Sequence, residues 1–135
     1  MNYNSKHIDF SLFEEVLKVK RPDGRVKHLG CSNVDMAVDL GNNFLFVDWL
    51  DDEARNEPWK NEGKLIYAKK LTNLSPYITY LLVTGDVETQ SPEHFTVVRN
   101  GLLNLRSDDR SKVVWQPCTK EKLVQLVKNW VDEQS

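Results

Sequence analysis

The sequence predicts a single α/β domain, residues 1–135, with a mixed central β-sheet flanked by helices. Three observations carry this. Gly41-Asn42 lies between two apolar, strand-like runs and signals a two-residue hairpin. Tyr77-Ile-Thr-Tyr-Leu-Leu-Val-Thr84 is a strong β-run, reached from the hairpin through a stretch long enough for a parallel crossover. Near the end, Leu123, Leu126, Val127, Trp130 and Val131 recur at helical spacing and form a stripe to bury.

The elements follow in order. A first helix is expected from about Ser11 to Lys20. Ser11-Leu-Phe-Glu14 fits a capping box, and Phe13, Val16 and Leu17 make one apolar face. Pro22 and Asp23-Gly24 end it, and a short strand is expected around Arg25 to Leu29. With the turn at Gly41-Asn42, Leu40 pairs with Asn43 and every cross-strand pair sums to 83. Val34, Met36, Val38, Leu40, Leu45, Val47 and Trp49 then share one face. Asp35, Ala37, Asp39, Phe44, Phe46, Asp48 and Leu50 share the other. Both faces are substantially apolar, which predicts a hairpin covered on two sides. A helix from about Trp59 to Asn73, with Leu65, Ala68 and Leu71 at helical spacing, ends at Ser75-Pro76. Gly85-Asp86 closes the strong β-run. Strands are expected near Phe95 to Arg99 and Lys112 to Gln116, around a polar turn at Arg106 to Ser111. The last helix spans about Lys120 to Glu133, with Thr119 as its N-cap and Glu121 in its first turn.

Composition bounds the function. The hydrophobic fraction of 40% and charged fraction of 28% describe an ordinary globular chain. No apolar run approaches the length of a membrane span, and Met1 to His7 holds no apolar core of a signal peptide, so a cytoplasmic location is expected. Cys31 and Cys118 match neither a disulfide framework nor a zinc pattern. The net charge of −2 provides no overall basic footprint, so any footprint for nucleic acid must be local. Lys60, Lys64, Lys69 and Lys70 supply a locally basic helix; the simpler reading is a solvated face.

The predicted register sets Asp35 directly opposite Asp48. Opposed like charges destabilise a strand pair by some tenths of a kcal/mol unless something offsets them. A hard divalent cation is one such thing, because it takes carboxylate oxygens. Asp39 shares the face but lies by the turn, where solvation accounts for it. Asp51, Asp52 and Glu53 read as a solvated loop. His7, His28 and His94 show no metal-ligand spacing. Cys31 has no His at a diagnostic spacing, and Ser32 no nucleophile-elbow motif. Trp49, Trp115 and Trp130 read as core, whereas Pro58-Trp59-Lys60 offers a contact surface after a charged loop.

The order helix, three strands, helix, strand resembles the core of the PD-(D/E)XK nuclease-like superfamily. Asn33-Val-Asp35 resembles its first motif and Val47-Asp-Trp-Leu50 its second. Glu62-Gly-Lys-Leu-Ile-Tyr-Ala-Lys-Lys-Leu71 resembles the following helix and Tyr80-Leu-Leu-Val-Thr-Gly-Asp86 the strand after it. The likeness covers roughly residues 10 to 86. It implies a restriction-endonuclease-like core (α-β-β-β-α-β) followed by C-terminal strands and a helix. It also implies descent from a Mg²⁺- or Mn²⁺-dependent phosphodiesterase, with Asp35 and Asp48 as metal ligands. One position departs from the pattern: Leu50 stands where the family has its Lys, and Leu can neither donate a hydrogen bond nor offset charge. Some members carry the basic group on the following helix. Here Lys60, Lys64 and Lys69 are the candidates.

Two functions follow from the resemblance. One is a degenerate, non-catalytic relative that binds nucleic acid or a protein of a nucleic-acid-processing or defence complex. The small size suits a phage or mobile-element accessory protein. The other is a small metal-dependent nuclease with a displaced Lys, in which the cation binds phosphate and activates water and the Lys stabilises developing charge. The lost Lys and the acidic total favour the first, the opposed Asp pair the second. A homodimer would let two sites address two strands.

Overall fold

The structure is a computed structural model that describes residues 12, 15–28, 34–50, 62–102 and 114–134, and the chain divides into two compact units, Met1–Asn33 and Val34–Ser135. In the first unit, β1 (Lys18–Lys20) pairs antiparallel with β2 (Val26–His28), Lys18 opposite His28 and Lys20 opposite Val26. This corrects the helix expected over Ser11 to Lys20, because its last three residues are a strand. The turn explains the outcome. The Gly24 amide donates to the Arg21 carbonyl (2.9 Å) and the Arg21 amide to the Arg25 carbonyl (2.8 Å). The Asp23 carboxylate accepts from the Arg25 amide at 2.9 Å. Gly24 takes φ 86°, a conformation that costs glycine little. The supposed apolar face also fails to be buried, Val16 being 74% exposed. Most of Ser11 to Glu14 lies outside the described residues.

The second unit holds β3 (Met36–Leu40), β4 (Asn43–Leu50), α1 (Glu62–Leu74), β5 (Ile78–Asp86), β6 (Ser91–Arg99), β7 (Gln116–Pro117) and α2 (Lys120–Gln134). These form an α/β arrangement around a mixed five-stranded sheet in the order β3-β4-β5-β6-β7. Leu40 pairs with Asn43 and Met36 with Val47, so the cross-strand sum of 83 holds along the hairpin. Gly41 supplies φ 76° at the turn. Its amide donates to Asp39 Oδ1 at 2.7 Å, so Asp39 serves the turn. β4 and β5 run parallel, Asp48 beside Leu82, with α1 as the crossover. The strand expected around Arg25 to Leu29 exists as β2, but it pairs with β1 and not with this sheet.

Of the hairpin expected to be covered on two sides, only β4 is; β3 is the edge strand of the sheet and stays largely exposed, Met36 at 42%. On one side, Leu45, Val47, Leu81, Val83 and Phe95 meet Trp130, with Trp49, Leu123, Leu126 and Val127 packed around them. The Trp130 indole N–H reaches Thr79 Oγ1 at 3.2 Å, which satisfies its buried polar edge. On the other side, Leu50, Tyr80, Leu82 and Val98 meet Leu65 and Ala68 of α1, with Phe46, Tyr67, Leu71 and Trp115 around them. Full burial of each such side chain contributes about 1.5–3 kcal/mol. Thr119 caps α2, accepting from the Lys122 amide at 3.1 Å. Thr72 ties α1 to the end of β6: its hydroxyl donates to the Ala68 carbonyl at 2.8 Å and accepts from the Gly101 amide at 3.0 Å.

Candidate functional site

Among the described residues, the α1-covered face of the sheet carries one buried charge, Asp48, at 1% exposure. Alternation along β4 points it towards α1, between Phe46 and Leu50 of the same face. Three donors meet it. The Asp35 amide donates to Asp48 Oδ1 at 3.0 Å. The Lys64 ammonium donates to Oδ2 at 3.1 Å. The Tyr80 hydroxyl donates to the same Oδ2. The Asp35 carboxylate turns back across the hairpin and accepts from the Trp49 amide at 2.8 Å.

This answers the opposed-charge problem that the sequence poses. Asp35 and Asp48 are one residue beyond the last pair of the hairpin ladder, Met36 with Val47, and each carboxylate takes a backbone amide from the other's strand. The two side chains replace ladder hydrogen bonds where the pairing ends. Lys64 then supplies a positive charge directly against Asp48. Its side chain is 21% exposed, so the ion pair is partly screened at one end and buried at the other. Tyr67, one turn along α1, places its ring 5.9 Å from the Lys64 ammonium. Tyr67 also meets Tyr80 edge-on, with ring centroids 5.9 Å apart.

Tyr80 is the residue that motif reading missed. Burial, first, and its hydrogen bond to the Asp48 carboxylate, second, push its phenol well above the ordinary range. It therefore stays a neutral donor. Tyr80 is Phe46's partner across the parallel pair, two residues before Leu82. A hydroxyl-bearing ring on the face that carries Asp48 was the available signal.

Linkage gives a pH consequence. A folded-state phenol pKa raised above its unfolded value contributes stability that is fully present below about pH 10 and is lost as pH rises further. Tyr80→Phe should flatten this alkaline fall. At neutral pH it should cost about 1.5–3 kcal/mol, because a hydrogen bond to a charged group is removed. Urea unfolding of both proteins at pH 8 and pH 11 checks it.

The structure brings together Asp35, Asp48 and Lys64 of the residues predicted from sequence. Lys69 is five residues further along α1, about 140° around the helix from Lys64. Lys60, Trp59, Asp51, Asp52 and Glu53 lie outside the described residues. Leu50 is 5% exposed and belongs to the apolar cluster under α1. Cys118 is buried on the other face, and burial raises its thiol pKa despite nearby Lys122, which keeps it protonated and a poor nucleophile.

A divalent cation fits this donor set poorly. Asp48 Oδ2 already accepts two hydrogen bonds and Oδ1 accepts one. Asp35 has one oxygen committed to a backbone amide. Among the described residues no group of three or more His, Cys, Asp or Glu side chains is placed to hold a metal. A Lys ammonium stands against the carboxylate that would ligate the ion.

Comparison with protein-family models, with curated proteins and with solved structures finds no match. The class that fold and site define is an α/β protein with a mixed sheet and a part-buried Asp–Lys–Tyr cluster near the carboxyl end of its first parallel strand.

Proposed function

We propose that this protein is a degenerate, non-catalytic member of the PD-(D/E)XK nuclease-like superfamily. It acts as a binding module for nucleic acid or for a protein of a nucleic-acid-processing or defence complex. The observation that carries this reading is the state of Asp48: buried, and with its oxygens occupied by Lys64, Tyr80 and a backbone amide. A carboxylate so committed braces the fold. Leu50 supports the same reading, since the position of the family's Lys is part of the core. The hairpin that opposes Asp35 to Asp48, followed by α1 as a parallel crossover into β5, supports a restriction-endonuclease-like core.

One observation favours the alternative of a small Mg²⁺-dependent nuclease with a displaced Lys. Lys64 comes from the helix after the second motif and lies 3.1 Å from Asp48. A cleavage assay separates the two. Single- and double-stranded DNA and RNA are incubated with Mg²⁺ or Mn²⁺ and either the wild type or Asp48→Ala. The expected result is no cleavage by either protein. Cleavage by the wild type that is lost in the variant would establish the nuclease. Binding measured at rising salt then assigns the partner: contacts to phosphate weaken steeply between 50 and 200 mM salt, by about 10³-fold or more when several phosphates are engaged, whereas an apolar protein interface persists.

A further inference from the structure

We infer that a cleft between the sheet and α2 is a binding site for a small zwitterion with an apolar side chain, an aromatic or branched α-amino acid. It lies on the face of the sheet opposite Asp48 and stands independently of the non-catalytic reading. The cleft has a volume of about 170 Å³ and opens to solvent. A dry cavity of about 150 Å³ holds benzene, so one such ring or a branched aliphatic group fits. Leu45, Leu81 and Val97 of three neighbouring strands form its floor, and Leu126 and Trp130 of α2 its wall. The polar group in the floor is satisfied from within, since Thr79 Oγ1 accepts from the Trp130 indole at 3.2 Å. The body of an occupant is therefore apolar. The two charged residues of the lining are both exposed: Arg99, at the end of β6, brings a guanidinium from the sheet side, and Glu133 a carboxylate from the helix side. Neither has an ion-pair partner among the described residues, whereas the neighbouring Asp132 is paired with Lys128 at 2.8 Å. α2 has no basic residue in its last turn, so the partial negative charge of its carboxyl end adds to Glu133 and favours a cation there. Asn129 accepts from Gln125 at 2.6 Å through Oδ1, which leaves its NH2 group as a donor in the lining. An α-amino acid meets this arrangement, with its carboxylate on Arg99, its ammonium against Glu133 and the helix end, and its side chain in the cleft.

The test titrates the full chain with phenylalanine, with phenylpropionate, which lacks the amine, and with phenethylamine, which lacks the carboxylate. Calorimetry and the shift of the Trp130 indole N–H resonance are the readouts. The expected result is saturable binding of phenylalanine, tighter than that of either relative. Arg99→Gln and Glu133→Gln should each weaken it by about fivefold or more, the loss of one charge-assisted contact at a partly screened mouth. Both positions are exposed, so these variants keep the fold. Val97→Phe fills the cleft from the strand side and should abolish binding. No saturable binding of millimolar phenylalanine to the folded wild type would overturn the inference. Binding that all three substitutions leave unchanged would overturn it too, because the ligand would then sit elsewhere. Phenylpropionate or phenethylamine binding as tightly as phenylalanine would reject the zwitterion. Cleavage of nucleic acid by the wild type, which would end the non-catalytic reading, leaves this site untouched.

Discussion

Gly85→Ala should lower folding stability by at least about 3 kcal/mol, read as the shift in urea midpoint at unchanged slope. Gly85 sits at φ 140°, a backbone conformation that a side chain strains. A Cβ there would run into the Ser91 carbonyl oxygen and would lie 2.9 Å from Pro92 Cα and 3.0 Å from the Glu93 amide nitrogen. All three are backbone atoms, so no side chain can swing aside. The crowding comes from a bulge. Thr84 pairs with His94 while Gly85 pairs with Pro92, which leaves Glu93 as an extra residue on β6. The Glu93 carbonyl accepts from the Cys118 amide at 2.8 Å, so the same irregularity seats the chain just after β7. Gly41→Ala is the control. It shares a positive φ, at 76°, but an added Cβ there meets nothing within 4 Å. Its cost should stay near about 1 kcal/mol, the conformational penalty alone. Equal losses at the two positions would mean that the bulge is not crowded.

The hairpin was legible because its information is local. Gly41-Asn42 sets the turn, the turn sets the register, and the register sets the faces. Asp35 opposite Asp48, Leu45 and Val47 under one helix, and Phe46 and Leu50 under the other all follow from one dipeptide. The N-terminal segment departs from its expected helix for the converse reason. Phe13, Val16 and Leu17 suit a helix, but a three-residue strand paired across Pro22-Asp23-Gly24 leaves almost no periodic signal.

The sequence leaves Lys60, Lys64 and Lys69 as equal candidates, and it is the structure that sets Lys64 against Asp48. Ala68 and Leu71 follow Lys64 at four and seven residues, so it belongs on the helix stripe that faces the sheet. Lys70 lies off that stripe and is exposed. The bulge at Gly85 and the Tyr80 contact were not legible. The Tyr80 contact depends on how β4 and β5, distant in sequence, align, and the bulge on a one-residue slip between β5 and β6 that no residue type announces.

Asp48→Ala should destabilise the protein by about 2–4 kcal/mol, and Asp48→Asn by less. The alanine variant orphans the Tyr80 hydroxyl and the Asp35 amide and removes the carboxylate that Lys64 faces. Removing one member of a buried pair costs about 3–5 kcal/mol in general. Lys64 keeps 21% exposure and can regain water, which moderates the loss here. Asparagine keeps one acceptor oxygen, for the amide or for the phenol, but loses the charge and turns an NH2 donor towards the other, so its cost is smaller than alanine's without being nil. The sign matters more than the size. Carboxylates held together for chemistry repel one another, and relieving them commonly stabilises a protein at the expense of its activity. A carboxylate that braces a hairpin, a helix and a strand should behave in the opposite way. Urea unfolding of the wild type and both variants at neutral pH decides between these. A loss graded from asparagine to alanine is the result expected of a structural brace. A neutral or stabilising Asp48→Ala would show that the fold does not need this charge, and the reading of the cluster as a relic that now serves stability would fall.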